Sequence, residues 1–210
     1  TVDESTPPDI ATITLVSFSF LLKPNEFINL LIYIFTKSYY FNISFLVMVD
    51  LLISGPEGKI EAKYTHNNND QSPIVLILHP DPSRGGTMNT KIVFKLYKLF
   101  INNGFSAIRF NFRGVGKSEG VYDDGEGELS DAASVLDWIQ QYNTNSKICW
   151  VAGFSFGAWV AMQLLMRRPE INGFISVSPP ANIRDFSFLA PCPSSGLIIH
   201  GDKDNIASFD

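Results

Sequence analysis

From Leu51 onward, apolar positions recur in two alternating rhythms. Pro73–Leu78 (PIVLIL) is continuously apolar, the pattern of a strand buried on both faces of a parallel sheet. Phe105–Phe112, Ile148–Ala152, Phe174–Val177 and Gly196–His200 are further runs of strand length. Between them the period lengthens. Ile92, Val93, Leu96, Leu99 and Phe100 keep helical spacing across Thr90–Asn103, and Gly104 stops that helix. Ala132, Val135, Leu136 and Ile139 share one face of a helix over Ser130–Tyr142, and Phe156–Arg168 forms a third, ended by Pro169. Leu51–Ile53 and Lys59–Tyr64, joined by Gly55-Pro56-Glu57-Gly58, predict an antiparallel hairpin. Strands alternating with helices predict an α/β class: crossover units, a mostly parallel sheet and helices on both faces.

Residues 12–47 follow neither rhythm. They hold no Gly, Arg or Ala and only one Pro, and are dominated by Phe, Ile, Leu, Tyr, Ser, Asn and Lys. Their apolar runs are each shorter than the ~18–20 residues that span a bilayer. Lys23, Pro24, Glu26 and Lys37 interrupt them. The expectation is that residues 1–47 are an extension outside the domain, translated from upstream of a start at Met48. A hydrophobic anchor and a domain segment are the alternatives. Residues 48–210 then form a partial domain, cut just after a strand-like run so that the final strand and helix are missing.

Composition narrows the class of partner. The chain has 210 residues, 45% hydrophobic and 18% charged, which suits one globular α/β domain. A net charge of −5 argues against a nucleic-acid partner. Contact with a membrane is expected only if residues 12–47 are an anchor, and the oligomeric state is left open. Of two cysteines, Cys149 lies in an apolar run and reads as a buried free thiol, which fits a reducing, cytoplasmic compartment.

The chemistry lies at Gly153-Phe154-Ser155-Phe156-Gly157, between a strand and a helix. That is the context a Gly-x-Ser-x-Gly nucleophile elbow requires, with glycines leaving room for a strained turn that projects the hydroxyl. The following helix points its positive end at the site. Ser155 is therefore the candidate nucleophile, and acyl transfer to water the expected reaction. A serine at the elbow excludes the aspartate-based chemistry of dehalogenases and epoxide hydrolases. Gly116-Lys117-Ser118 mimics the end of a phosphate-binding loop, but Asn111 stands where that motif needs glycine and no helix signal follows.

The segment Asn111-Phe112-Arg113-Gly114-Val115-Gly116-Lys117-Ser118 resembles the D-x-R-G-x-G-x-S segment of α/β hydrolases. The text from Gly55 to Asp204 is similar to a bacterial group of predicted α/β-superfamily hydrolases. The likeness is carried by Leu78–Pro82, Gly85–Met88, Gly127–Asp131, Trp150–Ala158, Leu165–Pro169 and Cys192–Gly201. It implies an α/β-hydrolase fold and an oxyanion hole made by the backbone N–H of Phe156 and one N–H from the loop after Leu78. Pro80 and Pro82 have no N–H, so Asp81 is the candidate donor, provided its carboxylate turns away or pairs with Arg84. His79, in the same loop, fits an orienting role better than that of a base. The triad order Ser, acid, His makes Asp204 the acid, with Asp202 the alternative, and His200 a positioning residue. None of His66, His79 and His200 follows the acid in the chain, so the general-base histidine is expected after Asp210.

Ser178–Ser195 is too short an interval for a large lid. The site is expected to be open, walled by Phe154, Phe156, Phe186, Phe188 and Leu189. The reading is a serine hydrolase of carboxylesterase type acting on a small acyl substrate, with no cofactor or metal. A serine aminopeptidase-like or dienelactone-hydrolase-like enzyme is the first rival, and a non-catalytic binding module the second.

Overall fold

The structure is a computed structural model that describes residues 12–14, 47–202 and 204–207. Eight strands belong to one sheet: β1 (Thr12–Thr14), β2 (Met48–Gly55), β3 (Gly58–Thr65), β4 (Ile74–Leu78), β5 (Ser106–Phe110), β6 (Cys149–Phe154), β7 (Ile171–Val177) and β8 (Ser195–His200). Their spatial order is β1-β8-β7-β6-β4-β5-β3-β2. Strands β4 to β8 are parallel, while the β2–β3 hairpin and β1 are antiparallel to their neighbours.

The continuous apolar strands follow from burial on both faces. All five residues of β4 are buried, and they alternate between two cores. Val75 and Ile77 face Val93, Leu96 and Phe100 of helix α1 (Lys91–Asn102). Ile74, Leu76 and Leu78 face the other side, with Leu136 and Ile139 of α2 (Glu126–Tyr142) and Val160 and Leu164 of α3 (Phe156–Arg167). Helices thus cover both faces, the α/β-hydrolase arrangement the sequence predicts. Cys149 is a buried free thiol, and burial pushes its pKa up to about 12.

Two differences from the sequence reading have local causes. Helix α2 starts at Glu126 rather than Ser130, because the Glu128 carboxylate accepts from the N–H groups of Gly125 (2.7 Å) and Asp123 (3.0 Å) and moves the cap upstream. The hairpin ladder is longer than Leu51–Tyr64 and runs from Met48 opposite Thr65 to Gly55 opposite Gly58. Thr12–Thr14, within the segment read as lying outside the domain, pairs antiparallel with the outer edge of β8, Thr12 opposite His200 and Thr14 opposite Ile198. The rest of the expected extension lies outside the described residues, among which β8 is the last strand or helix.

Candidate active site

Strand β6 delivers Ser155 and α3 begins directly after it. The serine sits at φ 53° and ψ −119°, a conformation that costs a non-glycine residue about 1–3 kcal/mol. Ser155 N–H donates to Val177 O at 2.9 Å, and Ser155 O accepts from Ala158 N–H at 2.8 Å, fixing the turn between β7 and α3. A Cβ on Gly153 would lie 2.6 Å from Ala158 Cα, and one on Gly157 would lie 2.6 Å from Leu78 O. Glycine at both places lets α3 press against β6 and β4.

The loop after β4 is anchored at its start by His79, which is fully buried. Its Nδ1 donates to Pro80 O (2.6 Å), its Nε2 accepts from Phe112 N–H (3.0 Å), and its ring packs on Phe112 at 4.6 Å. Burial lowers its pKa to about 4, so the ring is neutral with both nitrogens committed. Asp81 follows. Its carboxylate folds back onto its own turn, accepting from Ser83 N–H (2.9 Å) and Ser83 Oγ (2.7 Å), with Arg84 Nε at 3.9 Å from the other oxygen. The backbone N–H groups of Asp81 and Phe156 have no acceptor among the described residues, and both residues line the same cavity.

Further side chains, unmarked by the sequence reading, hold this loop. Met88 is gripped at both ends of its backbone: Asn111 Oδ1 accepts from its N–H (2.9 Å) and Arg109 Nη1 donates to its carbonyl (2.6 Å). Asn111 is fixed in turn by Glu61 (2.8 Å). The signal was available, since Arg109 and Asn111 are polar residues two apart in an apolar run and so face the same way. Behind them, the buried Arg113 guanidinium pairs with Asp131 through contacts of 2.8 and 3.0 Å, and Arg113 N–H adds a third at 3.1 Å.

On the far side, Asp204 is half-buried and Asp202 exposed. Asp204 Oδ1 accepts from the N–H groups of Ile206 and Ala207, each at 3.0 Å. Burial pushes its carboxyl up, but those two donors, the Ser178 side chain and nearby His200 outweigh it and hold the pKa below the usual carboxylate range. His200 Nε2 donates to Ala207 O at 2.7 Å, and His66 Nδ1 meets the Tyr64 hydroxyl at 2.8 Å. None of the three histidines lines the cavity at Ser155. Among the described residues the non-glycine positions with positive φ are Asp124, Ser155 and Ser178. The first two line the cavity and the third bonds Asp204, so backbone strain is gathered round this site.

That cavity, about 370 Å³, is lined by Asp81, Arg84, Asp124, Ser155, Phe156, Pro180, Ile183, Arg184 and Ile206. Of the expected aromatic wall, Phe156 lines the cavity, and the other four residues are not among its lining. Period-two alternation sends Phe154, with Trp150 and Ala152, to the opposite core behind α1. Phe186, Phe188 and Leu189 pack on the core beneath α2 and α3. The apolar lining of the cavity comes from the expected Phe156 together with Pro180, Ile183 and Ile206. Among the described residues, no three His, Cys, Asp or Glu side chains converge as metal ligands, and no helix is long and apolar enough to cross a membrane.

A mostly parallel sheet with helices on both faces, and a strained strand-to-helix turn opening on a cavity at its carboxyl edge, defines an α/β hydrolase. Residues 56–196 match the X-Pro dipeptidyl-peptidase (S15) family, and the chain belongs to that family. An uncharacterized protein of Rickettsia prowazekii is 52% identical over 166 residues, 78% of this chain and 70% of that protein. The lysophosphatidylserine lipase of Bos taurus is 29% identical over 171 residues, 70% of this chain; the chain spans only 42% of that lipase's length. Among solved structures, a protein of unknown function from Agrobacterium tumefaciens, described as a candidate α/β hydrolase, is 57% identical. Its TM-score is 0.75, with 77% of this chain and 74% of that one covered. A serine hydrolase without a lid from Xanthomonas campestris is 33% identical with TM-score 0.69, covering 77% and 74%.

Proposed function

We propose that the protein is a serine hydrolase of carboxylic esters that works through an acyl-enzyme on Ser155. The observation that carries this reading is the elbow: a strained serine lining a cavity that Asp81 and Phe156, whose backbone N–H groups have no acceptor among the described residues, also line. Ser155 Oγ attacks the ester carbonyl as a base takes its proton, and the two N–H groups receive the oxyanion. The intermediate expels the alcohol, which recovers that proton, and water then releases the acid by the same route. Asp204 orients the base. His66, His79 and His200 each hydrogen-bond away from the cavity, so none of them is assigned as the base.

The relatives' names support ester chemistry, since one is a lipase and another a serine hydrolase without a lid. In this chain, Ser178–Ser195 holds only the short 3-10 turn Ser187–Leu189, which favours the same open site. The family name favours a second reading, a peptidase. Against it, the cavity's carboxylates are already engaged, Asp81 by Ser83 and Asp124 by Arg184, which leaves a peptide's ammonium without a partner.

The test is chemical rescue. The chain alone should hydrolyse p-nitrophenyl acetate on the order of 10⁶-fold below a complete triad. Added imidazole, entering the open cavity as a substitute base, should raise the rate up to about 10²-fold. That increment must vanish in Ser155→Ala; an equal increment in the variant sinks the nucleophile assignment. Aminoacyl p-nitroanilides run in parallel separate esterase from peptidase.

A further inference from the structure

The cavity at Ser155 carries four charged side chains, two acidic and two basic, and they are not equivalent. Arg184 is spent. Its Nη2 donates to Asp124 Oδ1 (2.7 Å) and to the Tyr122 hydroxyl (3.3 Å), and its guanidinium lies 4.7 Å over the Trp159 ring and 5.5 Å over Phe156. Asp124 is neutralised by that contact. Asp81 is turned into its own loop, where Ser83 supplies both of its hydrogen bonds. Arg84 is different. Its one ionic contact among the described residues is the 3.9 Å approach of Nε to Asp81, too long for a hydrogen bond, and its side chain is 64% exposed.

Formal charge in the cavity cancels, yet donors and acceptors do not. Asp81, Asp124 and Arg184 each have a hydrogen-bonded side-chain partner at 2.7 Å, while Arg84, which also lines the cavity, has no hydrogen bond from its planar fork of N–H donors among the described residues. A guanidinium in that state binds a planar or tetrahedral anion through paired hydrogen bonds, a geometry that an ammonium or a neutral ester cannot exploit. The other lining groups, Phe156, Pro180, Ile183 and Ile206, make an apolar floor.

Building on the ester-hydrolase reading, we infer that Arg84 is a specificity determinant, and that the substrate class is a small ester carrying a carboxylate or phosphate group beyond an apolar segment. Arg84 receives the anion while the apolar segment lies on the floor. The pull acts on binding, so it lowers KM and leaves the chemistry at Ser155 unchanged.

The test needs no turnover. On the Ser155→Ala protein, the affinity of monomethyl adipate is compared with that of dimethyl adipate by NMR titration. The ratio favouring the monoanion should fall about threefold to tenfold in Arg84→Gln and be only partly kept in Arg84→Lys, which retains the charge without the paired donors. In the Arg84-containing protein, salt should weaken binding of the monoanion and not of the diester. A ratio unchanged by Arg84→Gln overturns the proposal, as does a salt response shared by both ligands. Imidazole rescue that persists in Ser155→Ala would instead count against Ser155, so the two failures are distinct.

Discussion

The two walls of the Ser155 cavity are built by different means. The elbow wall, from β4, β5 and β6, rests on backbone pressed against backbone at Gly153 and Gly157, and on buried polar groups that each have fixed partners: His79, Arg113, Asp131 and Asn111. The opposite wall, after β7 and β8, is tied down by exposed contacts. Arg184 reaches Asp124, whose side chain is 74% exposed, Trp159 donates to Asp185 O (2.9 Å), and Asn182 to Ile206 O (3.0 Å). The wall that carries Ser155 is held by buried contacts, while the opposite wall is held by bonds that water can replace.

Substitutions should therefore cost much more on one side than on the other. Asp131→Ala strands the buried Arg113 guanidinium and should lower stability by about 3–5 kcal/mol in urea denaturation. His79 gives the next largest effect. Its folded pKa of about 4 lies below the unfolded value near 6.5, so the unfolded chain binds the proton first as pH falls. Its contribution is complete above about pH 6.5 and drains away toward pH 4. The loss is about 3 kcal/mol, visible as a falling urea midpoint that is flatter in His79→Asn. Asp124→Asn keeps a side chain that tolerates positive φ but removes the charge facing Arg184. It should cost under about 1 kcal/mol by the same assay. If Asp124→Asn proves as damaging as Asp131→Ala, the contrast between the walls is wrong.

The same contrast separates what was legible in the sequence from what was not. The elbow wall is local: Gly153, Ser155 and Gly157 sit within five residues, and the apolar runs of β4 and β6 identify strands buried on both faces. His79 follows β4 directly, and its bonds to Pro80 O and Phe112 N–H join segments that the sequence does not show to be neighbours. The far wall was less legible. Phe154 was expected in the cavity, yet the strand's two-residue alternation turns it to the other face of the sheet. Phe186 and Phe188 were absorbed by the core, and Pro180, Ile183 and Ile206 took their place.

By itself the sequence determined the class of fold, the position of the serine and its turn, because strand period, helix period and glycine spacing are properties of neighbouring residues. Only the tertiary structure decided which side chains face Ser155. It closed Arg184 onto Asp124, 60 positions away in the chain, folded Asp81 onto Ser83, and left Arg84 open. Whether a charge is spent or available depends on partners brought together by packing, and no local pattern records that.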